Sequence, residues 1–344
     1  MVNCRTFVEQ DRARWNAFVS AHPYGSPFHL IAWRDTLQTT FGYEPRYLLV
    51  EDAQECIVGI LPLFFVDNIV TGRVLISTPF AVYGGILAAN DGAHYALAAQ
   101  AKALAERLDV QYLELRNIHT DQRAGFNDVD RYASFTMPVG PASPNELLAA
   151  IPQKTRNLVR KSLKHDFKVR SARDLDTFYG LLALTYRKHG TPLFRKSFFE
   201  TLLENFGPLV DMREILLDGR PVAASLNLLF REEMPTYYAA SDPAALAAAP
   251  NNFMYFDHLL WAGNHGFRVF DFGRSKVDTG CYQFKKHFGA TARPLPYEVM
   301  LVRRREMPNF TPKNPKFAMA ARLWQKIPLP MTRLLGPALI SLFP

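Results

Sequence analysis

SPFHLIAWRDTLQTTFG, residues 26–42, returns 165 residues later as TPLFRKSFFETLLENFG, residues 191–207. The shift superposes Pro27 on Pro192, Thr36 on Thr201, Leu37 on Leu202, Phe41 on Phe206 and Gly42 on Gly207, with Trp33 falling on Phe198. Each copy reads as a helix that begins after Ser/Thr-Pro and stops at Phe-Gly, since proline suits a first helical turn and glycine the residue after the last. The agreement continues beyond the helix. A strand, a polar turn and a second strand are expected over 47–50 and 57–65 in one case, and over 214–217 and 222–230 in the other, where Asp218-Gly219 is a hairpin signal. Each half then offers a further strand pair (74–87; 236–240), a long helix (93–108; 252–265) and a buried strand (112–117; 269–274). Two unrelated α/β domains with coincident spacing would not match over the whole order of elements. The expected fold is therefore α/β (α+β), with mixed, mostly antiparallel sheets flanked by helices, built from one unit used twice with a cleft between the copies.

Length allows this, since 344 residues accommodate about two domains of roughly 150. The Pro/Gly stretch Met137–Ser143 suggests domains at 1–143 and 144–305, followed by a Pro-rich tail, 306–344, with Pro308, Pro312, Pro315, Pro328, Pro330, Pro337 and Pro344. A helix is expected around Phe317–Lys326. The apolar end LPMTRLLGPALISLFP is too short and interrupted to span a bilayer. It is expected either to pack on the first domain or to rest on a membrane surface with Lys326 and Arg333 at the headgroups. No signal-peptide core is visible after Met1, so a cytoplasmic protein is expected, at the inner face of the cell membrane if the tail touches lipid. Cys4, Cys56 and Cys281 have neither disulfide nor zinc spacing, and no metal is expected; Cys281 is read as a buried or bystander thiol.

The net charge of +8 concentrates in KTRNLVRKSLKHDFKVRSAR, 154–173, where Lys and Arg face a single Asp166. On a helix, Arg156, Arg160 and Lys164 form a cationic stripe while Leu158, Val159 and Leu163 supply apolar contacts. The stripe suits phosphate contact or a plain solvated face. It lacks interleaved aromatics, which argues against DNA or other nucleic acid as the main partner.

The functional candidate is VFDFGRSKVDTGCYQFKKHFGA, 269–290. A strand, Val269–Phe272, is expected to break at Gly273 into a loop carrying Arg274, Lys276, Asp278 and Gly280, and to re-form as an aromatic-rich segment containing Lys285 and Lys286. Arg274 can fork onto a carboxylate or phosphate. If the later segment is extended, Lys286 faces away from Lys285. Asp271 is expected to pair with Arg274 or Arg268. In the first half, Tyr83-Gly84-Gly85 suits either a close backbone approach to a sugar or diphosphate, or a tight turn.

The tandem unit, the 154–170 helix and above all FDFGRSKVDTGCYQFKKHFG resemble the FemAB family of aminoacyl/acyl transferases, built from two GNAT-like domains. The last motif and WQKIPLPMTRLLGP are similar to FemAB-like proteins associated with exosortase/PEP-CTERM and exopolysaccharide systems. The resemblance implies that Lys285, in its Phe-Lys-x-x-Phe-Gly frame, lies near the reacting ends of the substrates, and that Tyr238, Tyr186 and Arg187 contact substrate. FemAB enzymes use aminoacyl-tRNA to extend peptidoglycan precursors. The expected reaction thus moves an acyl or aminoacyl group onto an amine or hydroxyl of a cell-envelope glycan or lipid-linked precursor, of exopolysaccharide or peptidoglycan type. The alternative is a non-catalytic scaffold that binds such an intermediate. No cofactor is expected. Ser241–Pro250 lacks the glycines of a pyrophosphate-cradling turn, so acyl-CoA yields to an acyl carrier or aminoacyl-tRNA as donor. The long charged heptad arm that some family members use for tRNA is absent from the second domain, which weakens the tRNA donor.

Overall fold

In the computed structural model, which describes residues 3–308 and 315–344, the two copies of the repeated helix lie against each other. The chain opens with β1 (Asn3–Thr6), α1 (Arg12–Ala21), α2 (Ile31–Phe41), β2 (Glu44–Pro45), β3 (Leu48–Glu51), β4 (Ile57–Leu61) and β5 (Phe64–Asn68). Next come β6 (Gly72–Ile76), β7 (Leu87–Ala88), α3 (Asp91–Arg107), β8 (Tyr112–Leu115), β9 (Asn127–Val129) and β10 (Tyr132–Pro138). The second half contains α4 (Pro144–Ala150), α5 (Gln153–Ser162), β11 (Phe167–Ser171), α6 (Leu175–His189), α7 (Lys196–Phe206), β12 (Val210–Leu217), β13 (Arg220–Leu228) and β14 (Glu233–Ser241). It ends with α8 (Pro250–Asn264), β15 (Val269–Lys276), α9 (Gly280–His287), β16 (Thr291–Pro294), β17 (Tyr297–Leu301), α10 (Pro315–Lys326) and α11 (Leu329–Ile340).

Helices α2 and α7 are the superposed segments, and both stop where Phe-Gly predicts: Gly42 and Gly207 take positive φ, 68° and 52°. Both begin about a turn later than Ser/Thr-Pro suggests. Ser26 is extended, Pro27 starts a short 3-10 turn, and the Ser26 hydroxyl is spent on His29 at 2.8 Å. The helices pack reciprocally. Trp33 meets its own equivalent Phe198 edge-on at 6.1 Å; Trp33 also meets Phe206 at 6.4 Å, and Phe198 meets Phe41, the equivalent of Phe206, at 5.8 Å. Such i-to-j and j-to-i pairing is the signature of a two-fold contact, here inside one chain. One aromatic core consequently runs through both halves.

The Asp218-Gly219 turn joins β12 to β13 with both residues at positive φ (51° and 76°), as a type I′ hairpin requires. The strands fall into a four-stranded sheet β1-β3-β4-β7, a six-stranded sheet β2-β5-β6-β8-β17-β9 and a seven-stranded sheet β11-β12-β13-β14-β15-β10-β16. Two strands cross the sequence boundary at residue 143. Strand β10 precedes it yet pairs antiparallel with β15 and β16, whereas β17 follows it yet lies between β8 and β9.

Helix α5 buries Thr155, Val159 and Ser162. Leu158 and Leu163, expected to supply apolar contacts, are instead exposed, because the i, i+4, i+7 face that meets α8 passes through Val159 alone of the three. The tail is also placed differently from the expected packing on the first domain. Helices α10 and α11 lie along α6 of the second half, and contacts to the first half come from the two ends of the tail: Arg131 donates to the Pro308 carbonyl, Tyr43 Oη to that of Ser341 and Arg116 to that of Pro344. Pro312 lies outside the described residues.

Candidate active site

In each half a parallel strand pair begins in register and then splays. Strands β6 and β8 pair at Leu75–Leu113 and Ile76–Glu114. Beyond that point their gap is filled by the chain itself: Gly84 N donates to the Arg116 carbonyl, and residues 77–86 fold back against the strand ends. The close approach that glycine permits at Tyr83-Gly84-Gly85 is made to the protein's own side chains. A Cβ on Gly84 would fall 1.7 Å from Thr78 Oγ1, and one on Gly85 2.0 Å from Asn117 Oδ1. In the second half β14 and β15 pair from Glu233–Val269 to Pro235–Asp271 and then diverge, and this gap is open. It leads into a cavity of about 1040 Å³ lined by both halves and by Ile340, Phe343 and Pro344 of the tail.

Strand β15 does not break at Gly273 as expected. It continues to Lys276 through a bulge, with Phe272 and Gly273 together facing Phe135 of β10; only the residue without a Cβ takes φ 73° there cheaply. The segment after it is a helix, α9, and not extended chain. Thr279 caps it by accepting from Tyr282 N, and Gly289, at φ 91°, follows its end. The helical turn puts Lys285 inside and Lys286 in solvent.

Lys285 Nζ donates to the carbonyls of Gly273 and Arg274, both at 3.0 Å, and lies 5.8 Å from the centre of the Phe135 ring. The side chain is 8% exposed, and burial pulls its pKa down from 10.5 to about 8. The nearby Asp271 carboxylate opposes this shift. Contrary to the expected pairing, Asp271 meets neither Arg274 nor Arg268. Its Oδ1 accepts from Gly273 N at 2.7 Å and its Oδ2 from Tyr83 Oη at 2.9 Å, while burial raises its own pKa. Tyr83 is thus a link from the first half to the second.

Arg274 is held by aromatic rings. Its guanidinium carbon lies 4.5 Å from the Tyr132 ring centre and Nη1 donates to Tyr297 Oη at 3.1 Å. Among the described residues it has no carboxylate partner. The two crossing strands supply these rings, Tyr132 from β10 and Tyr297 from β17. Among the described residues the cavity wall carries Arg116, Arg131, Arg274, Lys276 and Lys285 against one acidic side chain, Glu114, which Arg116 already engages at 2.7 Å. An anionic ligand is favoured in such a space.

Of the other expected site residues, Tyr186 and Tyr238 line the cavity. Arg187 lies outside it and donates to the Gln325 carbonyl. Arg156, Arg160 and Lys164 also lie outside: Arg156 is occupied by the carbonyls of Ala149 and Ile151, and Arg160 and Lys164 are exposed. Cys281 lines the cavity and is exposed, not buried. Sequence reasoning missed Tyr132, Tyr297, Phe135 and Arg131, which reach the site through strand pairing over long separations. The helical Lys285 was findable from the Thr279 cap and the Phe284/Phe288 spacing. Among the described residues no group of three or more His, Cys, Asp or Glu side chains converges as a metal site would require.

Residues 150–286 match the family model of an acetyltransferase (GNAT) domain. A search of curated proteins by sequence finds no match. Among solved structures the chain is similar to FemX, with 17% identity and a TM-score of 0.68 over 88% of this chain and 98% of that one. It is also similar to the C-terminal DUF2156 domain of a putative lysylphosphatidylglycerol synthetase from Agrobacterium fabrum, with 11% identity and a TM-score of 0.56 over 95% and 96%. A tandem GNAT protein from the clavulanic acid biosynthesis pathway gives 11% identity and a TM-score of 0.55 over 90% and 100%. The chain has a tandem GNAT fold.

Proposed function

We infer that this protein is an acyl- or aminoacyltransferase that works in the cavity between its halves on an amine or hydroxyl of a cell-envelope glycan precursor. One observation carries the reading: Lys285, an almost buried amine at the edge of an electropositive cavity, has a pKa near 8 and is bonded to two carbonyls. A neutral amine has two N–H bonds and one lone pair. Here Gly273 and Arg274 take both N–H bonds, so the lone pair is left to accept a proton. As the acceptor nitrogen or oxygen attacks the donor carbonyl, its new bond forms and its proton passes to Lys285 Nζ. The ammonium returns that proton to the departing oxygen or sulfur as the donor's ester or thioester bond breaks. A general base works best when its pKa lies near the working pH. Arg274 offers guanidinium N–H groups to the developing oxyanion or to a substrate phosphate.

A carrier-bound or tRNA-bound donor is favoured over coenzyme A. The turn ahead of α8 holds alanines where a pyrophosphate loop needs glycine, and Pro250, in the first turn, has no N–H to offer. In this reading Arg160 and Lys164 meet the outer part of an anionic carrier.

The test is mass spectrometry of envelope glycan precursors from cells with the protein, without it, and with Lys285→Met. The expected result is a precursor mass that appears only with the unaltered protein and identifies the transferred group. Identical profiles in all three would overturn the transferase reading and leave a binding scaffold.

A further inference from the structure

Helix α11 has two apolar faces, and only one is used. Thr332, Gly336 and Ile340, at i, i+4 and i+8, are buried; Gly336 sits so close to Leu193 that a Cβ would lie 2.7 Å from its backbone nitrogen. On the outside Met331, Leu334, Leu335 and Leu339 recur at i, i+3, i+4 and i+8 and are 51%, 78%, 42% and 36% exposed. Helix α10 adds Met319 and Leu323, one turn apart, at 62% and 58%. A surface helix normally turns its charged side outward. Six large apolar side chains on adjoining helices therefore form a patch that calls for a partner.

The flanking charge selects the partner. Arg322, Lys326 and Arg333 are exposed on the same two helices, and residues 307–344 contain neither Asp nor Glu. A second copy of this chain would bring one acid-free, cationic tail against another, whereas an anionic bilayer offers both phosphates and an apolar interior. Each helix has 12 residues, about 18 Å, which is too short to cross roughly 30 Å of hydrocarbon but long enough to lie in its interface. Among the described residues no helix is long and apolar enough to cross a membrane. The helix that carries the patch also reaches the site, since Ile340 on its inner face and Phe343 and Pro344 just beyond it line the cavity.

We propose that the outer face of α10 and α11 docks on an anionic lipid surface and brings the cavity mouth to a lipid-linked acceptor. The acceptor rests on the function inferred above; the docking does not. The experiment is sedimentation of the full chain with vesicles of phosphatidylcholine alone or mixed equally with phosphatidylglycerol, alongside light scattering without lipid. The wild type is expected to sediment with the mixed vesicles, less so as salt rises, and to bind phosphatidylcholine weakly. L334E combined with L335E, on exposed positions, should weaken binding by about tenfold or more while leaving circular dichroism unchanged. Lys285→Met should bind like the wild type, so loss of turnover and loss of docking are separately readable. Failure to sediment, equal binding to both vesicle types, or binding indifferent to the two glutamates would overturn the proposal. A dimer that those glutamates dissolve would assign the face to a second copy.

Discussion

Burying the Lys285 amine removes water that two carbonyls and the Asp271 carboxylate only partly replace, and the depressed pKa measures the shortfall. The sign of its linkage to stability follows. Between pH 8 and 10.5 the unfolded chain, with its lysine at 10.5, holds more protons than the folded one, so stability from this residue rises with pH across that window. Below pH 8 the penalty is present in full, at about 3 kcal/mol. Lys285→Met should therefore gain most relative to the wild type near pH 7, with the gap in Tm closing toward pH 10; a gap independent of pH would contradict a buried, depressed lysine. For activity, turnover should rise with pH through about 8 as the lone pair is freed. Asp271→Asn keeps an acceptor for Gly273 N but removes a charge that holds the Lys285 pKa up, so the rate profile should move to lower pH. An unmoved profile would mean that Asp271 is already protonated in the active protein.

Among helix pairs, the largest single contact is the aromatic face shared by α2 and α7. Trp33→Ala empties a fully buried site that touches Phe28, Phe198, Phe206 and Tyr237, and should cost about 3–5 kcal/mol by chemical denaturation. Phe198→Ala should cost less when Trp33 is already gone, because each ring loses its partner. This contact was legible as a repeat in the sequence, and so were the helix ends at Gly42 and Gly207, because glycine at positive φ leaves a local mark. The bulge at Gly273 and the helix at 280–287 were misread for a physical reason. A glycine within a strand and one that ends a strand look alike until the partner is known, and the partner, Phe135, lies 138 residues earlier. The residues TYYAAS of β14 likewise gave no warning that their pairing with β15 stops after Pro235.

At the scale of the whole molecule, the crossing of β10 and β17 decides how the halves behave. Neither sheet is complete without a strand from the other side of residue 143, and the rings that hold Arg274 arrive on those same strands. Calorimetry of the intact protein should show one cooperative transition, and residues 1–143 produced alone should be insoluble or unfolded, since β8 and β9 lose the strand between them. Two resolved transitions would show that the crossing strands contribute little. The order in which a ribosome releases the chain adds a further consequence. Strand β9 emerges with Val129 and must wait for Tyr297, so the six-stranded sheet keeps two bare edges while the intervening chain is made, on the order of ten seconds at the usual rate of ribosomal synthesis. During that interval the nascent protein presents the kind of unpaired strand that chaperones bind, and the pocket with its arginine can close only after Tyr297 has emerged.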